Sequence, residues 1–202
     1  MTIDWEERYR QDAAPWERGD LHPAFRHWQA AGTFDGIRHV LVPGAGRAPE
    51  PLAFARLGVR PTIVDLAPSA IRHQERAFAA AGAAGDFVLS DLLAYTPERP
   101  FDAVYDQTAM CALPPALWVD YAARLGRWLA PGGRLFALFL QRPAADEKGP
   151  PFHQDVARMR TLFAAPTWRW ESAEPVIRVP HPAGFEELGF VLRCESRGRD
   201  RD

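Results

Sequence analysis

Short apolar runs alternate along this chain with longer stretches whose apolar residues recur every three or four positions. The runs cover 38–42, 60–64, 86–89, 101–105 and 134–140. They are close to continuous in apolar character, as in strands buried on both faces. The intervening spacing predicts helices over 50–57, 68–82 and 114–129. In the last of these, Leu117, Trp118, Tyr121, Leu125 and Leu129 form one core-facing stripe. Pro114-Pro115 suits its first turn, and Pro131-Gly132-Gly133 reads as its stop. Pro68 likewise opens the helix before it, with Ser69 in the first turn. Strand and helix in alternation predict an α/β fold around a mostly parallel sheet.

Two regions stand outside this alternation. Residues 1–34 read as two helices carrying five aromatics, Trp5, Tyr9, Trp16, Phe25 and Trp28. This segment is expected to act as a lid that orders when ligand binds. After the fifth strand, 143–152 is a loop rich in proline and charge. A helix over about 154–163 follows, then strands over 168–179 and 188–195. Strands so close in sequence are expected to pair antiparallel.

The chemistry concentrates at the end of the first strand. Val40-Leu41-Val42-Pro43 runs into Gly44-Ala45-Gly46, a helix follows, and the second strand ends in Asp65. Strand, glycine turn, helix, strand and acid in that order build a nucleotide-type site. The glycines let the backbone approach a ligand, and Asp65 can accept hydrogen bonds from both ribose hydroxyls. Leu66 follows that acid. The turn continues Arg47-Ala48-Pro49-Glu50, with no third small residue and with an acid at the helix start. A pyrophosphate would be repelled there, which disfavours a nicotinamide dinucleotide and an oxidoreductase. A ligand with a sulfonium and an ammonium fits better, and S-adenosyl-L-methionine has both. Asp91 and Leu92, after the third strand, are placed to bind the adenine amino group and cover the ring. Asp106, at the tip of the fourth strand, could take a proton, orient the cofactor's amino group or cap the next turn.

Composition narrows the partners. The 202 residues fit one domain, with 1–34 as its cap. A net charge of −2 gives no basic field for nucleic acid. Cys111 and Cys194 form no disulfide framework, and the six histidines show no metal-ligand spacing. No apolar run approaches the ~20 residues of a membrane span. The polar, acidic start does not read as a signal peptide, so a cytoplasmic protein acting on a small molecule is expected. The tail 197–202 is expected to fray, and oligomeric state is not legible.

Several motifs together resemble the thiopurine S-methyltransferase family, including its thiol and halide methyltransferase branch. The similarity spans Trp5 to about Glu195. It rests on Pro43-Gly44-Ala45-Gly46-Arg47-Ala48-Pro49-Glu50, on Asp102 to Leu113, on the Gly149-Pro150-Pro151-Phe152 loop and on Pro15-Trp16-Glu17-Arg18-Gly19. The resemblance implies a class I Rossmann-like methyltransferase with a mostly parallel seven-stranded sheet. It further implies an antiparallel last hairpin and an N-terminal helical cap. It places Trp5, Tyr9 and Trp16 at the cofactor, where an aromatic face can hold a sulfonium by cation–π attraction, and Gln107 beside them. Candidate acceptor-pocket residues are Phe25, Trp28, Met110, Arg142, Phe152 and His153. The thiopurine branch carries an arginine directly after its strand-four aspartate, where this chain has Gln107, which cannot supply that charge. A small soft nucleophile is therefore expected as acceptor, most simply a thiol. Halide, thiocyanate, selenium or tellurium species are the alternatives, and a non-catalytic cofactor-binding module is the rival of another class.

Overall fold

A computed structural model describes residues 3–11, 14, 16–142, 149–181 and 184–195. The chain divides into two compact units, 1–95 and 96–202. Pro15, most of the 143–152 loop and the tail from 196 lie outside the described residues.

In the first unit the apolar runs become three parallel strands, β1 (His39–Pro43), β2 (Arg60–Asp65) and β3 (Asp86–Leu89). β2 lies between the other two, with Val42 opposite Ile63 and Asp65 opposite Leu89. Four helices accompany them: α1 (Trp5–Arg10), α2 (Pro23–Ala30), α3 (Glu50–Arg56) and α4 (Pro68–Ala81). α3 packs on β2, α4 on β2 and β3, and α1 on α4. α4 follows the predicted bounds because Pro68 pre-sets its first turn and Gly82 ends it in the left-handed region at φ +62°. Phe25, Phe34 and Phe54 meet in one aromatic cluster, with centroids 4.8–4.9 Å apart.

The second unit holds β4 (Phe101–Asp106) and β5 (Leu129–Gln141), which pair in parallel. Three further strands follow: β6 (Trp168–Trp170), β7 (Ile177–Pro180) and β8 (Glu186–Cys194). β8 runs antiparallel to β5, from Arg134 opposite Arg193 to Gln141 opposite Glu186. β6 and β7 both pair antiparallel with the other edge of β8. They are one interrupted strand position beside β8. The single strand expected over 168–179 breaks because Ser172 closes a turn onto the Glu174 carbonyl at 2.7 Å and Pro175 has no N–H for the ladder.

The helices here are α5 (Ala109–Ala112), α6 (Trp118–Trp128) and α7 (Val156–Leu162). The helix expected over 114–129 is shorter than its apolar stripe. Pro115–Leu117 form a 3-10 turn, and Leu129 already belongs to β5. Pro131-Gly132-Gly133 does not stand between helix and strand. It lies within β5, where the register with β4 shifts and Gly132 takes φ +78°.

Candidate active site

The glycine turn of the first unit is fixed from two sides. Gly44 donates to the Val64 carbonyl at 2.8 Å, and Gly46 donates to Asp65 Oδ2 at 2.9 Å. Both glycines sit at φ +55°, where a side chain is strained. From α4, buried Gln74 donates its Nε2 to the carbonyls of Gly46 and Ala48, each at 2.9 Å. The sequence reading missed Gln74. A glutamine on the buried stripe of a helix that packs beside a glycine turn is the signal that could have found it.

Asp65 is 6% exposed. Its Oδ1 accepts from Ala67 N at 2.9 Å, and its Oδ2 from Gly46 N. Burial raises its pKa, and the Ala67, Gly46 and Leu66 amides pull back against that shift. A carboxylate has about four lone-pair sites, so two protein donors leave capacity for a diol. Beside it, Leu66 and Leu89 expose 51% and 56% of their surface. Leu89 pairs with Asp65 across the sheet, and Ser90 donates to the Asp65 carbonyl at 3.0 Å. An apolar ledge next to an acid suits a ribose carrying a flat heterocycle. Asp91 lies on the tethered loop but is exposed, and its Oδ1 already accepts from Leu93 N at 2.7 Å. Leu92 is half-buried.

α1 covers this turn. Tyr9 packs on Ala67 and Ala70, with half-buried Trp5 and Trp16 against the same cluster. Trp16 meets Trp5 edge-on at 5.6 Å and Tyr9 at 6.0 Å. A Cβ on Gly46 would overlap the Tyr9 hydroxyl, so only glycine fits under it. Burial, then the Asp65 charge, push the Tyr9 pKa up. The Arg47 guanidinium lies 5.4 Å from the Tyr9 ring centroid and pairs with Glu17 at 2.7 Å. Tyr9 thus stands beside the glycine turn, with Trp5 and Trp16 packed in the same cluster with Ala67 and Ala70. Phe25 and Trp28, named as candidate pocket walls, are buried at 0% and 1% exposure, and Phe25 packs on Phe34 and Phe54.

The second unit brings the remaining candidates together. Asp106 ends β4 at 5% exposure. Its Oδ1 accepts from Ala109 N at 3.1 Å and Met110 N at 3.3 Å, and its Oδ2 accepts from the Tyr121 hydroxyl at 2.8 Å. Burial raises its pKa to about 6, against the opposing pull of those three donors. Tyr121, read from the sequence as core, is also a polar partner, and its own pKa is raised well above 10 by burial. Gln107 is half-buried and accepts from the Tyr105 hydroxyl at 3.1 Å.

Met110 is buried, and its carbonyl accepts from Trp118 Nε1 at 3.0 Å. Phe152 N donates to the Cys111 carbonyl at 2.7 Å, which ties the Gly149–Phe152 loop to α5. Gly149 presses against the Phe152 ring, so that a Cβ there would stand 2.5 Å from ring carbon. His153 Nδ1 accepts from Arg142 N at 3.0 Å, and Arg142 Nη1 donates to the Pro151 carbonyl at 3.2 Å. Both side chains therefore brace the loop. Cys111 is a buried packing thiol whose pKa burial pushes up. Among the described residues no group of His, Cys, Asp or Glu could hold a metal ion, and no helix is long and apolar enough to cross a membrane.

Comparison with known proteins agrees with this arrangement. A "Probable thiol methyltransferase 2" of Arabidopsis thaliana is 29% identical over 191 residues, 93% of this chain and 75% of that protein. "Thiocyanate methyltransferase 1" of Arabidopsis thaliana is 25% identical over 189 residues, 92% of this chain and 82% of that protein. A solved structure described under "Conversion of a Disulfide Bond into a Thioacetal Group during Echinomycin Biosynthesis" superposes with a TM-score of 0.77 at 23% identity, over 97% of this chain and 92% of that one. At that identity it speaks for the fold alone. The family described as "Thiopurine S-methyltransferase (TPMT)" matches residues 2–195. The chain therefore belongs to the thiopurine S-methyltransferase family and is a class I, Rossmann-like enzyme that transfers a methyl group from S-adenosylmethionine.

Proposed function

We propose that the acceptor is a small thiol, methylated on sulfur. The observation that carries this reading is the state of Asp106. It is a carboxylate with a pKa near 6, already engaged by three donors, and a weak base at most. A thiol with a pKa near ~8.5 needs only such modest help, unlike an alcohol or amide. The near full-length similarity to a protein named as a thiol methyltransferase supports the same choice. Gln107, in place of a cation, speaks against large anionic thiopurines.

Bound S-adenosylmethionine supplies an activated methyl group on a sulfonium. Asp65 and the Gly44–Gly46 turn would hold its ribose and amino-acid portion, while Leu66 and Asp91-Leu92 would hold the adenine. Trp5, Tyr9 and Trp16 would exclude water from that end. Asp106 would take up the proton that a thiol acceptor loses as its sulfur is methylated. Met110 and Phe152 would supply apolar walls, with Arg142 and His153 bracing them.

Thiocyanate is the second reading, favoured by the similarity to a thiocyanate methyltransferase. Such an acceptor has no proton to lose, so the two readings separate by pH. Labelled cofactor incubated with a panel of thiols, thiocyanate and halides should give methylated thiol, at a rate rising towards the thiol pKa. Methylation of thiocyanate or halide with no thiol product would favour the second reading. Product from none of these would refute both.

A further inference from the structure

α4 lacks a capping side chain of its own. Its N-cap residue is Ala67, which has nothing to offer the first-turn amides. The missing acceptor comes from α1, 63 residues away in sequence. Glu6 Oε2 accepts from Ser69 N at 2.8 Å, and Glu6 Oε1 accepts from Ser69 Oγ at 2.7 Å. Arg72, one turn further on, donates to Ser69 Oγ at 2.9 Å and reaches Glu6 Oε1 at 3.4 Å. These bonds hold the Glu6 carboxyl below its usual range, Ser69 contributing most. Both ends of the contact are ordered elements. Asp4 caps α1 by accepting from Glu7 N at 2.9 Å, and α4 is 14 residues long. A carboxylate at a helix N-terminus also gains from the helix dipole.

Trp5 flanks Glu6 directly, and Tyr9 lies three residues on, at helical spacing. Tyr9 is the residue whose hydroxyl stands over Gly46 and whose ring rests on Ala67 and Ala70. The Glu6–Ser69 contact and the Tyr9 contact thus anchor α1 at two points of one surface, the glycine turn and the start of α4. Asp65, the ribose acceptor, lies between those points in sequence; after burial, its charge raises the Tyr9 pKa, and the Glu6 charge raises its own. α1 thus lies, through Tyr9, against Gly46 and the residues that follow Asp65, the groups a cofactor would engage.

We propose that Glu6 is a positioning residue for cofactor binding, the latch that holds α1 over bound cofactor and sets how long cofactor and product stay. Glu6 need not touch the ligand. It acts through Tyr9 and Trp5, and Ser69 is its receptor. The proposal rests on the cofactor site assigned above to Asp65 and the glycine turn.

The test uses the full chain and S-adenosylhomocysteine, the product, as probe. Glu6→Ala and Ser69→Ala should each speed its dissociation, measured by stopped-flow fluorescence or surface plasmon resonance, by about 5- to 20-fold. The double variant should be no faster than the worse single one, because both remove the same contact. The KM for S-adenosylmethionine should rise in step while saturating kcat holds, and Glu6→Gln, which keeps an acceptor, should restore part of the residence time. Unchanged dissociation in both single variants, or strictly additive effects in the double, would overturn the latch. So would a fall in kcat with no change in dissociation, which would mark a structural role only. Failure of the unaltered protein to bind S-adenosylhomocysteine would instead overturn the cofactor site on which the latch depends.

Discussion

Asp65 and Asp106 are the same residue in the same place on two strands, and the protein uses them differently. Each ends a parallel strand, each is nearly buried at 6% and 5% exposure, and burial raises the pKa of each. Asp65 receives one backbone amide on each oxygen, both from the turn and helix start it faces. Asp106 receives two amides on one oxygen and a tyrosine hydroxyl on the other. The partners, more than the position, tell the two apart. Two rigid backbone donors shape a carboxylate and leave it able to accept more. The Ala109 and Met110 amides commit Asp106 to holding the 107–113 segment, and the Tyr121 hydroxyl ties it to α6 as well.

Asp106→Asn tests that difference most severely. If the carboxylate takes the thiol proton, methylation of a neutral thiol should fall by roughly 100-fold or more. Thiocyanate methylation, where no proton moves, should then fall far less. Equal losses with both acceptors would leave Asp106 as a loop anchor and remove it from the chemistry. The same variant bears on stability. The Asp106 pKa is raised from 3.8 to about 6, so the folded state favours the protonated acid. That contribution is fully present below pH 3.8 and is lost as pH rises through about 6. Two units correspond to about 3 kcal/mol. Denaturant unfolding of the unaltered protein should show this slope across that window, and Asp106→Asn should flatten it.

Asp65→Ala should leave turnover chemistry intact at saturation but weaken S-adenosylhomocysteine binding by roughly 10- to 150-fold, the value of one or two charged hydrogen bonds. Calorimetry reads this directly, and unchanged affinity in a folded variant would remove Asp65 from the ribose site. Gln74→Leu should have a smaller effect of about 5- to 10-fold on the same affinity. It deprives the Gly46 and Ala48 carbonyls of their shared donor without touching ligand. If the affinity holds in Gln74→Leu, the turn keeps its shape without α4.

The two regions were also unequally legible in the sequence. The glycine turn, Asp65 and the helix after it follow from short-range rules, because each glycine and each strand end is local in the chain. The aromatic cap was visible for the same reason: Trp5, Tyr9 and Trp16 lie outside any strand–helix alternation. What the pattern could not give were contacts between distant segments. Tyr121 carries the periodicity of a core residue, and only the fold shows its hydroxyl on Asp106. Gln74 and Glu6 look like ordinary helix positions until α4 and α1 are placed. Phe25 and Trp28, offered as pocket walls, are buried in the fold. Aromatics near a presumed pocket are as readily core, and Phe34 and Phe54 claim the Phe25 face first. Proline and glycine misled once each way. Pro175 breaks an edge strand that the apolar pattern left whole, and the Pro131-Gly132-Gly133 stop proved a bulge within β5.

Asp91 offers the smallest and sharpest of these comparisons, since it is the third acid of the candidate site and the least buried. Its Oδ1 accepts from Leu93 N, an arrangement any turn aspartate adopts. A bond from one carboxylate oxygen to an adenine amino group at an exposed site is worth about 1 kcal/mol, so Asp91→Ala should weaken S-adenosylhomocysteine binding by about 5-fold. A loosened turn would produce a loss of similar size, so the affinity of one variant cannot tell recognition from support. S-inosylhomocysteine separates them, because its base carries a 6-oxo group and an N1–H in place of the amino donor, while the ribose and amino-acid portions are kept. If Asp91 reads the amino group, the unaltered protein prefers the adenosyl ligand and Asp91→Ala loses that preference, binding both alike. If Asp91 only closes its turn, the variant weakens for both ligands by the same factor and the preference survives. The ratio of the two affinities, measured in both proteins, cancels any change in folding or in turn stability. A ratio that does not move would return Asp91 to the turn and leave adenine recognition to Leu66, Leu89 and Leu92.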